Sequence, residues 1–232
     1  MYALIIAGGE GERLRPLTND RPKPMIPVGG KPILQRQIEW LRGESVTNFV
    51  LLCGYRADVI QKHFGDGSRF NVSIDYSVED EPLGRGGALR KGFALVPDAE
   101  GIVIATNGDI LTDQPLAPVI QRHKRKHSTA TVVLTALRSP YGVAKIARDN
   151  HIDSFEEKPI LPHWINAGVY VLSREFFAML PKKGDHETTT FPRLSNQGRL
   201  FGFKSKRYWR AIDSFKDLKE AERELADQTR VG

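Results

Sequence analysis

Three kinds of residue in this chain are spaced for chemistry on anions: glycines in a turn, cations held in a stiff loop, and carboxylates beside apolar strands. Leu4 to Pro32 reads LIIAGGEGERLRPLTNDRPKPMIPVGGKP, in which an apolar run meets Gly8, Gly9 and Gly11 and then Arg13, Arg15 and Lys23. A glycine turn exposes backbone N–H groups that can cradle anionic oxygens. Pro16, Pro22, Pro24 and Pro27 stiffen the cationic loop and lower the entropy lost when it closes on a ligand. The combination suits a polyphosphate. It is not a P-loop, because no Gly-Lys-Ser/Thr closes it, nor a dinucleotide fingerprint, which has no basic proline-rich tail.

Asp109, in TNGDILTD, follows an apolar run where a lone carboxylate is costly. A divalent cation with hard oxygen ligands offsets that cost, and this reading is favoured over an Asx turn or helix cap. Asp113 nearby reads as a cap for the segment after it. Lys158, in FEEKP, ends a strand at a position poorly suited to packing and calls for an anion. Asp213, in YWRAIDSFKDL, is suited to be the N-cap of the last helix, and Ser214 is equally suited to it. Cys53, the one cysteine, lies in an apolar run and reads as a core thiol, and Tyr141 is expected to pack in the core.

These side chains need a scaffold, and the hydrophobic pattern supplies one. Strands are expected at 2–7, 49–54, 71–78 and 101–106, alternating with helices at 33–42, 57–64 and 84–96. That rhythm predicts an α/β, Rossmann-like, mostly parallel (mixed) sheet flanked by helices. Such sheets bind ligands at the carboxyl ends of their strands, where the glycine turn and Asp109 both fall. From Thr129 the pattern changes to short strands at 130–137, 143–147, 152–157 and 167–172, which predict a smaller antiparallel lobe. A short helix is expected at 174–180 and an amphipathic helix at 215–228. With no repeat or linker, residues 1–232 read as a single domain, with a nucleotide-binding part over 1–128 and a second part over 129–232.

Composition narrows the function. With 40% hydrophobic and 27% charged residues the chain is ordinary for a globular protein, and neither a membrane span nor a signal peptide is expected, so the expected location is cytoplasmic. The net charge of +6 and the run Arg122-His123-Lys124-Arg125-Lys126-His127 raise nucleic-acid binding. The run has no aromatic residue for base stacking and reads as a solvated helix face, so anionic small molecules account for the charge.

The glycine turn and its tail resemble the signature of the sugar-1-phosphate nucleotidyltransferases, across Gly8, Gly9, Gly11, Arg13, Leu14, Pro16, Leu17, Pro22, Lys23, Pro24 and Met25. Glu12 departs from it, standing where the family has Thr or Ser, and either faces solvent or helps hold a metal. The resemblance implies a nucleoside triphosphate on Ala7, Gly8, Gly9, Gly11, Arg13 and Asn107, and Mg²⁺ on Asp109. Alignment on Trp209 puts Ala211 where many members carry an Asp, but YWRAIDSFKDL is similar to the variant in glucose-1-phosphate cytidylyltransferases, which implies Asp213 as the second metal ligand. Lys158 would contact the sugar phosphate, Glu157 the sugar hydroxyls, and Gly142 and Asn166 the hexose. Residues 79–89 match the base-binding segment, with Gly84 and Gly87 allowing close approach. There Glu81 either accepts from a guanine amino group or is an exposed turn acid.

The expected activity is Mg²⁺-dependent in-line attack of a sugar 1-phosphate on the α-phosphorus of a nucleoside triphosphate, releasing pyrophosphate. Arg13, Lys23 and Lys158 are the expected catalytic cations. Guanylyl transfer to mannose- or heptose-1-phosphate is the leading expectation; the alternatives are cytidylyl, thymidylyl or uridylyl transfer to a hexose 1-phosphate, or a non-catalytic regulatory subunit that binds sugar nucleotide. The partners expected are these two substrates, without nucleic acid or membrane, and a homo-oligomer is left open. The C-terminal β-helix of some relatives is not expected in this chain.

Overall fold

The structure, a computed structural model, describes residues 1–231. In chain order its elements are β1 (Tyr2–Ile6), β2 (Pro27–Val28), β3 (Lys31–Pro32), α1 (Ile33–Gly43), β4 (Asn48–Cys53), α2 (Ala57–Phe64), β5 (Ser73–Val78), α3 (Gly84–Phe93), β6 (Ile102–Asn107) and β7 (Ile110–Thr112). There follow α4 (Leu116–Arg125), β8 (Ala130–Arg138), β9 (Gly142–Ile146), β10 (Ile152–Glu157), β11 (Ile160–Ser173), α5 (Arg174–Ala178), α6 (Thr190–Asn196), β12 (Leu200–Lys204), β13 (Trp209–Ala211) and α7 (Phe215–Val231).

Continuous β-branched runs make strands that can be covered on both faces. Accordingly β1, β4 and β6 lie in the middle of a mixed seven-stranded sheet of order β12-β8-β11-β6-β1-β4-β5. The β6-β1-β4-β5 part is parallel, β11 runs antiparallel to β6 and β8, and β12 returns parallel to β8. Helices cover both faces. One core gathers Ile5, Phe49, Leu51, Ile104 and Val171 under Leu34 and Ile38 of α1; the other gathers Leu4, Val50, Val103 and Tyr170 under Leu89 of α3 and Phe176 of α5. The α/β fold with helices on both faces is thus the one the residue pattern predicts.

A third cluster joins Leu14, Ile26, Val28 and Ile33 to Leu111, Ile212 and Ala221, and so docks the cationic loop on β7, the segment after β13, and α7. Several elements depart from the sequence expectation. Strand β11 starts at Ile160 rather than 167, and α6, β12 and the ribbons β2/β3 and β7/β13 were not expected. Strands of two or three residues carry no detectable period. Tyr141 is 75% exposed instead of packed in the core, because it sits at the turn leading into the protruding β9/β10 hairpin. The basic run is a solvated face at Lys124, Arg125, Lys126 and His127, while His123 turns inward to the hydroxyls of Thr131 and Ser173, at 3.0 Å each. Burial pushes the Cys53 thiol up to about 12, as suits a core thiol. Among the described residues no helix is long and apolar enough to cross a membrane.

Candidate active site

At the carboxyl ends of β1 and β6 the chain leaves the sheet and opens a cavity of about 330 Å³, lined by Gly8, Gly9, Lys23, Glu79, Arg85 and Asp109 among others. The N–H groups of Gly9, Glu10 and Gly11 have no acceptor among the described residues, so the turn presents unused donors. Gly11 must be glycine: its φ is +70°, and a Cβ there would lie 2.7 Å from Cβ of Lys23. The turn and the Lys23 stem therefore fit against each other. Lys23 itself is held in a short 3-10 turn, Lys23–Met25, between Pro22 and Pro24.

The two acids singled out in the sequence meet here. Asp109 directly precedes β7 and Asp213 follows β13, and these strands pair antiparallel with Ala211 opposite Ile110. The Ile212 N–H donates to the Asp109 carbonyl at 2.9 Å, which extends the ribbon to the acids. Between the carboxylates stands Lys23, whose Nζ is 2.7 Å from Asp109 Oδ2 and 2.7 Å from Asp213 Oδ1; its side chain is only 11% exposed. Arg13 donates to the same Asp213 oxygen at 2.8 Å. Burial tends to raise the Asp213 carboxyl, but the hydrogen bonds and charges of Lys23 and Arg13 prevail and hold it below its usual value.

The cap of α7 falls to Ser214 rather than to Asp213. Ser214 accepts from the Asp217 N–H at 3.2 Å, and Asp217 Oδ2 accepts from the Ser214 hydroxyl at 2.7 Å, so the pair caps α7 and the Asp213 carboxylate points to the site. Ala211 packs against the core around Ile110 and Leu116. Asp113 does not cap α4; Glu44, from the end of α1, accepts the Leu116 N–H at 2.8 Å. Glu12 is exposed, with Oε1 3.9 Å from Arg15. Sequence reasoning missed Gln37, a buried residue of α1 whose Nε2 donates to the carbonyls of Asn107 at 2.8 Å and Ile110 at 2.9 Å, clamping both ends of the turn that carries Asp109. A polar residue on the apolar face of a helix is the only signal it left.

Two carboxylates converging on one cationic atom form an oxygen donor set that fits a hard divalent cation such as Mg²⁺. Among the described residues no group of three or more candidate ligands exists. Mg²⁺ is compatible with so few protein ligands, since it keeps waters and takes phosphate oxygens from its substrate.

A family model described as nucleotidyl transferase matches residues 2–228. The chain belongs to the nucleotidyl transferase family. It is 35% identical to the mannose-1-phosphate guanyltransferase of Emericella nidulans over 227 residues, and 37% identical to that of Kluyveromyces lactis over 228. These alignments cover 94% of this chain but 62% and 63% of those proteins, so the chain spans less than two thirds of the curated relatives' length. HddC from Yersinia pseudotuberculosis, solved in complex with GMP-PN, superposes with a TM-score of 0.76 at 28% identity, over 97% of this chain and 99% of that one.

Of the other residues expected in the site, some line this cavity and others lie outside it. Asn107 and Gly84 line it, but Glu81 does not; Glu81 is held at the surface by Lys183 at 2.9 Å, and within residues 79–89 Glu79 is the acid that lines the cavity. Gly84 and Gly87 are needed for a contact within the protein: the start of α3 docks on the loop at 182–186, where the N–H groups of Gly86 and Gly87 donate to the Gly184 carbonyl. From the same loop Glu187 binds Arg85 at 2.7 Å, the Asn166 amide at 2.9 Å and the Tyr170 hydroxyl at 3.1 Å. Arg85, Asp185, Glu187 and Tyr170, none singled out in the sequence, thus link the start of α3 at the cavity to Asn166.

Gly142 and Glu157 face each other across the β9/β10 hairpin, and a Cβ on Gly142 would press on the Phe155 ring and lie 2.9 Å from Glu157 Oε2. Lys158 follows with a φ of +51°, half exposed, its Nζ 4.0 Å from Glu157. Among the described residues no hydrogen bond or ion pair joins this hairpin to the Asp109–Lys23–Asp213 cluster.

Proposed function

We propose that the protein transfers a nucleotidyl group from a nucleoside triphosphate to a sugar 1-phosphate, with GTP as nucleotide and mannose- or heptose-1-phosphate as acceptor. The observation that carries this reading is the convergence of Asp109, Asp213, Lys23 and Arg13 at a cavity floored by a glycine turn with unused N–H donors. The guanyltransferase names of the fungal relatives and the GMP-PN in the HddC structure favour guanine.

The residues divide the work as follows. The N–H groups of Gly9, Glu10 and Gly11 donate to the triphosphate oxygens, and Arg13 and Lys23 balance the charge that builds on the leaving pyrophosphate. Asp109 and Asp213 would hold Mg²⁺, which would neutralise phosphate charge so that two anions can approach. Lys158 and Glu157 on the hairpin hold the sugar phosphate and sugar hydroxyls, Asn166 faces the hexose, and an oxygen of the acceptor phosphate attacks the α-phosphorus as the bond to the β-phosphate breaks. No covalent enzyme intermediate is required, because the acceptor is already a nucleophile and catalysis reduces to placement and charge. The single-domain organisation, with residues 1–128 for the nucleotide and 129–232 for the sugar phosphate, belongs to the same reading.

The test is pyrophosphate release with Mg²⁺ for GTP, CTP, UTP, dTTP and ATP against mannose, glucose and heptose 1-phosphates, with Asp109→Asn as control. Release that needs GTP, a mannose or heptose phosphate and Asp109 is expected. Release with another base reassigns the nucleotide, and nucleotide binding without release from any pair refutes the transferase.

A further inference from the structure

We infer that Lys23 is a tethered cation occupying the metal position, so that the site admits a divalent ion together with a polyphosphate and not as the free ion. This rests on the reading of the cavity as a nucleoside triphosphate site. Nζ of Lys23 lies 2.7 Å from an oxygen of each acid, within the first coordination sphere that a cation shared by Asp109 and Asp213 would occupy. An ion seated between these two oxygens would overlap the ammonium.

Charge leads to the same conclusion. Arg13 and Lys23 carry two positive charges, and Asp109 and Asp213 two negative ones, so the cluster is neutral as it stands. A free dication would enter a balanced site and gain little Coulomb energy while displacing a hydrogen-bonded ammonium. A triphosphate on the glycine turn changes this balance. Its oxygens give Lys23 a new anionic partner, and the turn already touches the Lys23 stem at Gly11, so the head group reaches them by rotating its own terminal bonds while Pro22 and Pro24 keep the backbone in place. The ammonium then moves from carboxylates to phosphate as the metal takes its place. Metal and nucleotide affinities are coupled through one side chain, and linkage requires the coupling to be the same in both directions.

The experiment measures protein-bound Mn²⁺ and protein-bound GTP by equilibrium dialysis, with wild type and Lys23→Met, each with and without GTP and with no acceptor present. Wild type is expected to bind free Mn²⁺ poorly and Mn²⁺ with GTP well, whereas Lys23→Met gains affinity for free Mn²⁺ by about tenfold or more, in the range of ordinary coupling between sites. Adding Asp213→Asn to Lys23→Met should abolish that gain. Thermal melting gives a second readout, since Mn²⁺ alone should raise the melting temperature of Lys23→Met and leave wild type unchanged; a variant too unstable to titrate is tested by whether Mn²⁺ restores its fold. Free Mn²⁺ binding no tighter in Lys23→Met than in wild type, or a wild type that binds free Mn²⁺ as tightly as Mn²⁺ with GTP, overturns the inference. Wild type that binds GTP in neither condition refutes the nucleotide reading itself, which separates the two failures.

Discussion

The Ser214 hydroxyl donates to Asp217 Oδ2 at 2.7 Å, and this bond at the head of α7 frees Asp213 for Lys23 and Arg13. The two neighbouring residues should therefore fail in opposite ways. Ser214→Ala should cost about 1 kcal/mol of stability, as loss of an N-cap does, with modest effect on turnover. Asp213→Asn should lower kcat by about a hundredfold or more, as loss of a charge-stabilising group does, with little change in melting temperature. Denaturant melts beside kcat for both variants check this, and the reverse pattern would make Asp213 the structural residue.

Gln37 acts on the site without touching a substrate. Gln37→Leu leaves the buried carbonyls of Asn107 and Ile110 without their donor, at a cost of about 1–3 kcal/mol. The turn bearing Asp109 should then drift, lowering kcat by about tenfold or more. Gln37→Glu, which retains shape but gives up the amide donors, should behave like Gln37→Leu in kcat.

Gly87 tests the docking of α3 on its loop. A Cβ there would lie 2.6 Å from the Lys182 carbonyl, a backbone atom that cannot swing aside. Gly87→Ala should destabilise by about 1–3 kcal/mol, as overpacking does, and weaken GTP binding by displacing Arg85 and Glu79 at the cavity. Calorimetric GTP titration and thermal melting would register both losses together.

Acid should loosen the face of the sheet that holds His186. Burial, aided by the charge of Arg85, lowers its pKa from 6.5 to about 4, so the folded protein keeps it neutral while the unfolded chain takes up the proton. The stabilisation is complete above pH 6.5 and is lost as pH falls toward 4, at about 1.4 kcal/mol per pH unit. His123, lowered to about 4 chiefly by burial, adds a slope of the same sign. His186 sits among Tyr170, Phe176 and Phe191, so His186→Phe should retain packing and flatten part of this slope in denaturant midpoints taken through the window.

Lys158 tests the hairpin. Lys158→Ala should raise KM for the sugar 1-phosphate by about tenfold or more and leave GTP affinity unchanged, because uniform binding to one substrate is removed. Equal losses for both substrates would remove Lys158 from the acceptor side.

What the sequence by itself determined lies within short windows. The β1 strand, the glycine turn, the cationic loop and the apolar setting of Cys53 are encoded by neighbours a few residues apart, through periods of two and 3.6 and through glycine's freedom at Gly11. The α/β order followed from the same local signals, Asp109 was visible as an acid after an apolar run, and Asp213 was visible through the resemblance of YWRAIDSFKDL. Tertiary structure decided how they are used. Lys23 meets Asp109 across 86 positions and Asp213 across 190, through a three-residue ribbon too short to carry a pattern. The clamp at Gln37, the Glu44 carboxylate at α4 and the Arg85–Glu187–Asn166 connection likewise depend on which surfaces pack together. Residue type states what a side chain can bond to; only packing brings the partner within 3 Å.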